Sequence, residues 1–188
     1  LEYYKLKLTG EWYVPLTANK KLVLMPRFGF GFMGAYNSSK GLTPFERFHL
    51  GGSGLTGVNQ IGGQEIIALR GYEDGNGGLN SNGGDPIIAK YTLELRYPIS
   101  LNPQATFFVL GFAEAGNTFP TFRDFNPLNV KRSAGLGLRV FLPMFGMLGL
   151  DYGWGFDTLD PWSVGFNQGS DSEVKTKGYY TKLNFTIG

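Results

Sequence analysis

Apolar residues alternate with polar or small residues along most of the sequence, and this period of two constrains the fold most. Between residues 87 and 99, for example, Tyr91 and Leu93 share one face, whereas Thr92 and Glu94 share the other. Successive side chains of a β-strand point to opposite faces, so the pattern predicts half-buried strands. The predicted strands, seven in number, span residues 1–16, 20–36, 87–99, 104–118, 130–143, 146–157 and 178–188.

The predicted connections alternate in length, and this bears on where the strands would fold. Short turns follow the first, third and fifth strands, and long loops follow the second, fourth and sixth. Several strands exceed the usual five or six residues, which suits tilted strands that cross a bilayer. Outer-membrane barrels carry short turns at one end and long loops at the other. We therefore predict an all-β, transmembrane antiparallel β-barrel.

Two further observations refine this prediction. Aromatic residues lie near strand ends, where an interfacial girdle would place them. They are Tyr3, Trp12, Tyr13, Tyr36, Tyr97 and Trp154. Bacterial barrels normally have an even number of strands, so seven strands indicate either a missed strand or the C-terminal half of a larger barrel. A soluble antiparallel sandwich or lipocalin-like barrel would explain the alternation, but neither the loop asymmetry nor the strand length.

Composition excludes several function classes. A formal net charge of +2 argues against an electrostatic nucleic-acid binder. The chain has no cysteine and one histidine, His49, so we expect no thiolate chemistry and no metal site built on histidine or cysteine. It has no run of about 18 apolar residues, so we expect no transmembrane helix.

Residues 37–86 interrupt the strands with a long, glycine-rich connection. Connections of this length are uncommon in compact folds and are usually functional or disordered. Apolar residues such as Phe48, Leu50 and Ile67 make this one too apolar for a solvated linker. We expect the loop to fold against the rest of the chain, with Arg70 as its charged anchor.

Four motifs lie in order along the chain, at residues 69–72, 112–116, 132–153 and 183–188. Together they resemble motifs of the BamA family of outer-membrane protein assembly factors. Leu69, Arg70, Gly71 and Tyr72 resemble the (Val/Ile/Leu)-Arg-Gly-(Phe/Tyr) motif on the sixth extracellular loop of that family's sixteen-stranded barrel. Residues 112–116, Phe-Ala-Glu-Ala-Gly, are similar to its Phe-x-(Asp/Glu)-x-Gly strand.

The remaining motifs lie near the end of the chain. Residues 132–137 and 142–153 resemble the family's last hairpin, and residues 183–188 resemble its final strand. The sequences of residues 65–72 and 142–149 look most like those of Bacteroidetes members of the family.

The resemblance implies that the chain forms the C-terminal seven strands of a sixteen-stranded barrel and that residues 37–86 are a lid loop folded inward. It also implies that Arg70 meets acidic groups on the inner wall, since a buried guanidinium needs carboxylates to offset its desolvation. Asp151 has the lumen-facing parity, and Glu114 occupies the family's acidic position. Both stand as candidate partners. Gly71 would permit a backbone conformation closed to other residues.

The last strand has a separate implied role. In the family it pairs weakly with the first strand and forms a seam that opens sideways, where a substrate strand adds to the exposed edge. The seam residues here would be Tyr179, Leu183, Phe185 and Ile187. The resemblance also predicts nine strands and periplasmic domains upstream of Leu1, and an aromatic residue beyond Gly188.

The function that the resemblance implies is a core insertase subunit of the bacterial outer membrane, without enzymatic activity, cofactor or nucleotide. Its partners would be outer-membrane lipid, accessory lipoproteins of an assembly complex and nascent outer-membrane proteins, and not nucleic acid. Two alternatives share the barrel: a secretion channel, such as a two-partner translocator or the translocation and assembly module, and the barrel anchor of a patatin-like lipase. The chain has no Gly-x-Ser-x-Gly motif for a lipase. The apolar loop disfavours a passive porin.

Overall fold

The computed structural model describes residues 2–36, 41–43, 46–52, 65–72, 84–102, 104–144, 146–157 and 180–187. Its strands are β1 (Tyr3–Glu11), β2 (Val14–Pro15), β3 (Val23–Ala35), β4 (Phe48–Leu50), β5 (Glu65–Ile67), β6 (Ile87–Asn102), β7 (Ala105–Phe119), β8 (Lys131–Leu142), β9 (Gly146–Gly155) and β10 (Tyr180–Ile187). None of the described segments forms a helix that could span a bilayer.

The long strands form one antiparallel sheet in the order β1-β3-β6-β7-β8-β9-β10, with β2 beside β3. The all-β, antiparallel prediction is confirmed. The first predicted strand, residues 1–16, is nevertheless broken between β1 and β2. Pro26 lies opposite the break. Its carbonyl accepts a hydrogen bond from the Trp12 amide at 3.0 Å, but proline has no N–H to donate the second hydrogen bond of the pair. The ladder is therefore interrupted there.

The two faces of the sheet differ in character. On one face, which we call the outer face, large apolar side chains from successive strands are exposed. They are Leu6, Leu8, Tyr91, Leu93, Leu95, Leu136, Leu150, Tyr152 and Leu183. Cross-strand partners share a face, and Leu93 lies opposite Ala113, which in turn lies opposite Ala134. This apolar outer surface is the one that a membrane-spanning barrel presents to lipid.

The loop between β3 and β6 packs against the opposite, inner face. Inside the loop, β4 and β5 pair in parallel, a detail that the sequence pattern did not predict. The amide and carbonyl of Phe48 also exchange hydrogen bonds with Asp85, at 2.9 and 3.0 Å. The inner face of the long-stranded sheet is called the wall below. A buried apolar cluster joins the loop to this wall; its members are Met33, Phe48, Leu50, Leu69, Tyr72 and Ile88.

Tyr3 departs from the predicted interfacial girdle. Its ring packs against this inner cluster and not on the lipid-facing side. Trp12, Tyr36 and Tyr97 are instead exposed, and their place in a girdle stays a prediction. The difference follows from parity, since Tyr3 shares its face with Lys5, whose ammonium contacts the loop.

Candidate functional site

The Leu69–Tyr72 segment follows β5 and forms a tight turn on the inner face. The Leu69 amide donates to the Gly52 carbonyl at 3.1 Å, and the Tyr72 amide donates to the Leu69 carbonyl at 3.3 Å. Gly71 adopts a φ of 98°, a region that favours glycine. This turn directs Arg70 into the wall, where its residue is only 6% exposed.

The Arg70 guanidinium lies among three carboxylates from three different strands. Its Nη2 is 2.7 Å from Glu94 Oε1 on β6 and 2.8 Å from Glu114 Oε1 on β7. Its Nη1 is 3.5 Å from Asp151 Oδ2 on β9. The Arg70 amide also donates to Glu114 Oε2 at 2.9 Å, so Glu114 holds both the backbone and the side chain. Beneath this group lies the Phe112 ring, whose centroid is 3.7 Å from the guanidinium carbon.

Each of these carboxylates has a second cation supplied by the wall itself. Arg96 donates twice to Glu94 Oε2, at 2.9 and 2.7 Å. Arg139 forms a bidentate pair with Asp151, both bonds being 2.7 Å long. The Lys90 ammonium is 3.1 Å from Glu114 Oε1 and also donates to the Ala68 carbonyl of the loop.

Arg70 remains charged in this setting. Burial alone would lower the pKa of Arg70, but the carboxylates of Glu114, Glu94 and Asp151 outweigh it and raise the pKa above its ordinary value. Loss of the guanidinium from this cluster would be strongly destabilising, because each buried carboxylate would lose one of its two cations. The arrangement can therefore hold the loop in one position on the wall.

Glycines of β9 bring the loop backbone close to the wall. A Cβ atom added at Gly153 would lie 2.7 Å from the Gly71 amide nitrogen. One added at Gly155 would lie 2.8 Å from Cζ of Tyr72. The near-bare face of this strand, visible in the sequence, is thus the surface on which the motif rests.

Tyr72 connects the end of the motif to the start of β8 and to the residues just after β9. Its hydroxyl donates to the Arg132 carbonyl at 2.8 Å and accepts from the Asp157 amide at 3.1 Å. The side chain is fully buried, and this burial raises the pKa of Tyr72 to about 12. The phenol therefore stays neutral and keeps its donor at any physiological pH.

A second charged anchor holds the loop on the same inner face, at the β1 edge of the sheet. The Glu65 carboxylate of β5 lies between two lysines of β1, with Lys5 Nζ and Lys7 Nζ each 2.6 Å away. Lys5 also donates to the Glu46 carbonyl at 2.6 Å and lies over the Phe48 ring. The loop is thus tied to both β1 and β9, and it spans the inner face between them.

We expect the second anchor to depend on pH. Burial would raise the pKa of Glu65, but Lys5 and Lys7 outweigh it and hold the pKa below its ordinary value of 4.5. The stabilisation is therefore present above that value and is lost as the pH falls through the lowered pKa. Protease resistance of the loop should stay constant between about pH 7 and pH 5 and decrease below that range.

The matched variants separate this anchor from general acid effects. Glu65→Gln should weaken the loop at neutral pH and reduce the acid-dependent step. Glu46→Gln is the control, because its carboxylate is 45% exposed and 3.7 Å from Lys5. Equal protease resistance of the Glu65→Gln and Glu46→Gln variants at neutral pH would contradict the assignment.

The structure brings both candidate acids, Glu114 and Asp151, to Arg70. Glu94 is a third partner that the sequence did not single out. It shares the polar face of β6 with Lys90 and Arg96, but only the register places it beside Phe112 of β7. The polar face of β6 is visible in the sequence and marks Glu94 as a candidate. The pairing of β6 with β7, which brings Glu94 to Arg70, is not visible there.

The predicted seam residues lie on β10, which pairs with β9. Leu183 is exposed on the outer face, opposite Tyr152. The Cα partners of Phe185 and Ile187 are Leu150 and Leu148. Tyr179 lies outside the described residues.

Comparison with known families matches residues 1–188 to the Omp85 superfamily domain. Among solved structures, the chain is similar to the crystal structure of BamA from Haemophilus ducreyi lacking POTRA domains 1-3, with a TM-score of 0.53 and 15% sequence identity. The match covers 98% of this chain and 35% of that one. At this identity the likeness concerns the fold, and the chain spans about a third of the solved protein.

Proposed function

Because the chain belongs to the Omp85 superfamily, we propose that it is the C-terminal barrel part of a core insertase subunit, which folds β-barrel proteins into the bacterial outer membrane. The observation that carries this proposal is the burial of Arg70 against the wall. A passive pore has no need for a loop held by three carboxylates across its inner face. In this proposal residues 37–86 are a lid that closes the inside of the barrel while substrate enters from the side.

The lateral entry would use β10. In the described part of the chain β10 pairs with β9, and in this proposal its other edge forms the seam. An incoming substrate strand would pair with that edge by β-augmentation. The driving energy would come from strand pairing and from burial of the substrate's apolar face in lipid, where unpaired backbone groups are costly. This mechanism needs no cofactor and no enzymatic step.

The partners in this proposal are outer-membrane lipid, nascent outer-membrane proteins and the accessory lipoproteins of an assembly complex. Superfamily membership supports a role in insertion or translocation, and the choice of insertion rests on the resemblance of four motifs, taken in order, to the BamA family. The assignment to Bacteroidetes-like members of the family, based on residues 65–72 and 142–149, stays a prediction.

A reconstitution separates insertion from translocation. The full-length protein in proteoliposomes should accelerate the folding of an unfolded β-barrel substrate, measured by its resistance to heat and protease. Empty liposomes and liposomes with an unrelated porin are the controls. Transport of a soluble passenger into the vesicles, without any gain in barrel folding, would reject the insertase and support a secretion channel.

A further inference from the structure

The loop between β7 and β8 turns towards the outer face of the sheet. Phe122 packs on Phe32 of β3, with ring centroids 4.4 Å apart. Phe125 packs edge-on against Phe30, 5.7 Å away, and against Phe119, 5.1 Å away. These contacts hold residues 120–130 beside β3 and β6 and away from the inner face, where the β3–β6 loop lies.

The face that this loop covers is the lipid-facing one. Phe30 lies opposite Leu8 of β1 and opposite Ala89 of β6, and cross-strand partners share a face. Leu8 is 59% exposed on the outer surface. The aromatic contacts of the loop therefore continue the apolar outer surface towards the end of the sheet that carries the long loops.

Turns and side-chain bonds fix the shape of the loop. The Asp124 amide donates to the Thr121 carbonyl at 3.2 Å, and the Asn129 amide donates to the Asn126 carbonyl at 3.0 Å. Asn117 of β7 ties the second turn down through a bond of 2.9 Å to the Asn129 carbonyl. These bonds stabilise both turns of the loop, and they leave some of its apolar side chains uncovered.

Two apolar side chains of the loop remain exposed. Phe122 is 56% exposed and Leu128 is 87% exposed, although both lie in a segment otherwise rich in polar residues. Arg123 and Asp124 follow Phe122 directly and are also exposed. Apolar tips among polar neighbours, set beside a lipid-facing wall, match the mixed chemistry of the region where headgroups meet acyl chains.

We propose that the β7–β8 loop is an interfacial anchor that inserts Phe122 and Leu128 into the outer leaflet of the membrane. The leaflet follows from topology, because the long loops of outer-membrane barrels lie at the extracellular end. The partner is the lipid surface itself, argued from the continuity of the loop with the lipid-facing wall. The anchor goes beyond the proposed function and would serve an insertase or a translocator equally.

Depth-dependent quenching tests the anchor. Single cysteines replace Phe122, Leu128 or Lys21 in a cysteine-free background of the full-length protein, and each is labelled with an environment-sensitive fluorophore. Lys21 is the control, since it is an exposed residue of the short turn before β3. Quenching is measured in liposomes and in native outer-membrane vesicles, with aqueous iodide and with nitroxides attached to the lipid headgroup or the upper acyl chain.

We expect the Phe122 and Leu128 probes to be quenched by lipid nitroxides about twofold more than the Lys21 probe, because interfacial segments lie about 5–10 Å inside the headgroup boundary. Iodide quenching equal to that of the Lys21 probe would overturn the proposal. Protection from both quenchers in native vesicles alone would overturn it in favour of a protein partner. Both readouts are independent of barrel folding by the proteoliposomes, so failure of the anchor is distinct from failure of the insertase.

Discussion

Replacement of Arg70 by glutamate should abolish assembly of outer-membrane proteins by the full-length protein. The substitution places a fourth carboxylate among Glu94, Glu114 and Asp151, all of which are buried. Breaking a buried ion pair costs about 3–5 kcal/mol, and the reversed charge adds repulsion to that loss. We therefore expect the loop to leave the wall. Arg70→Lys should show an intermediate loss, because a single ammonium cannot replace a planar guanidinium that reaches three acceptors.

Complementation during depletion of the wild-type protein is the measurement, with growth and outer-membrane protein levels as readouts. Arg27→Glu is the matched control, because Arg27 is also on the inner face but is 45% exposed and pairs with Glu11. Loss of such an exposed ion pair should lower the free energy of unfolding by about 1 kcal/mol or less. Growth of the Arg70→Glu strain at the wild-type rate would show that the anchor is dispensable.

Charge swaps report how the three carboxylates share the arginine. Arg70→Glu combined with Glu114→Arg should rescue only in part, because Lys90 lies 3.1 Å from the Glu114 carboxylate and would repel the new cation. Arg70→Glu combined with Asp151→Arg should rescue less, since Arg139 would lose its bidentate partner. Complete rescue by either swap would mean that one carboxylate alone holds the loop.

Substitution of Gly153 by alanine should displace the loop without changing any charge. The new Cβ would lie 2.7 Å from the Gly71 nitrogen and 3.0 Å from the Arg70 carbonyl carbon. Both are backbone atoms, so no side-chain rotation relieves the contact. Overpacking of this kind typically costs about 1–3 kcal/mol.

Hydrogen exchange of the amides in residues 65–72 measures this displacement, since local opening exposes them to solvent. Gly29→Ala is the control: Gly29 lies in β3, and a Cβ there meets nothing within 4 Å. Faster exchange should appear in the Gly153 variant alone. Equal exchange in the two variants would show that the loop does not depend on close approach to β9.

The period of two predicted the antiparallel sheet because each strand buries or exposes alternate residues, a property of single segments. The break between β1 and β2 was missed because its cause, Pro26, lies on the neighbouring strand. Glu94 was missed for the same reason: its approach to Arg70 depends on the register of β6 with β7 and on the path of a loop. Pairwise placement of this kind leaves no periodic trace in one sequence.

The β3–β6 and β7–β8 loops illustrate the same limit. Residues 37–86 were predicted to fold against the chain because their apolar content needs burial, and the described parts of the loop do pack on the wall. Residues 120–130 have a mixed polar and aromatic composition, which does not specify a direction. Only the contacts of Phe122 and Phe125 with β3 place that loop on the outer side.

The second set of cations on the wall has a consequence for the loop as a moving part. If Arg70 leaves, Arg96 still holds Glu94, Arg139 still holds Asp151 and Lys90 still faces Glu114. Each of the three carboxylates therefore has a cation on the wall that does not depend on the loop. The loop could then dock and undock by making and breaking the ion pairs of Arg70 and Glu65, while Glu94, Glu114 and Asp151 each keep a cation of the wall.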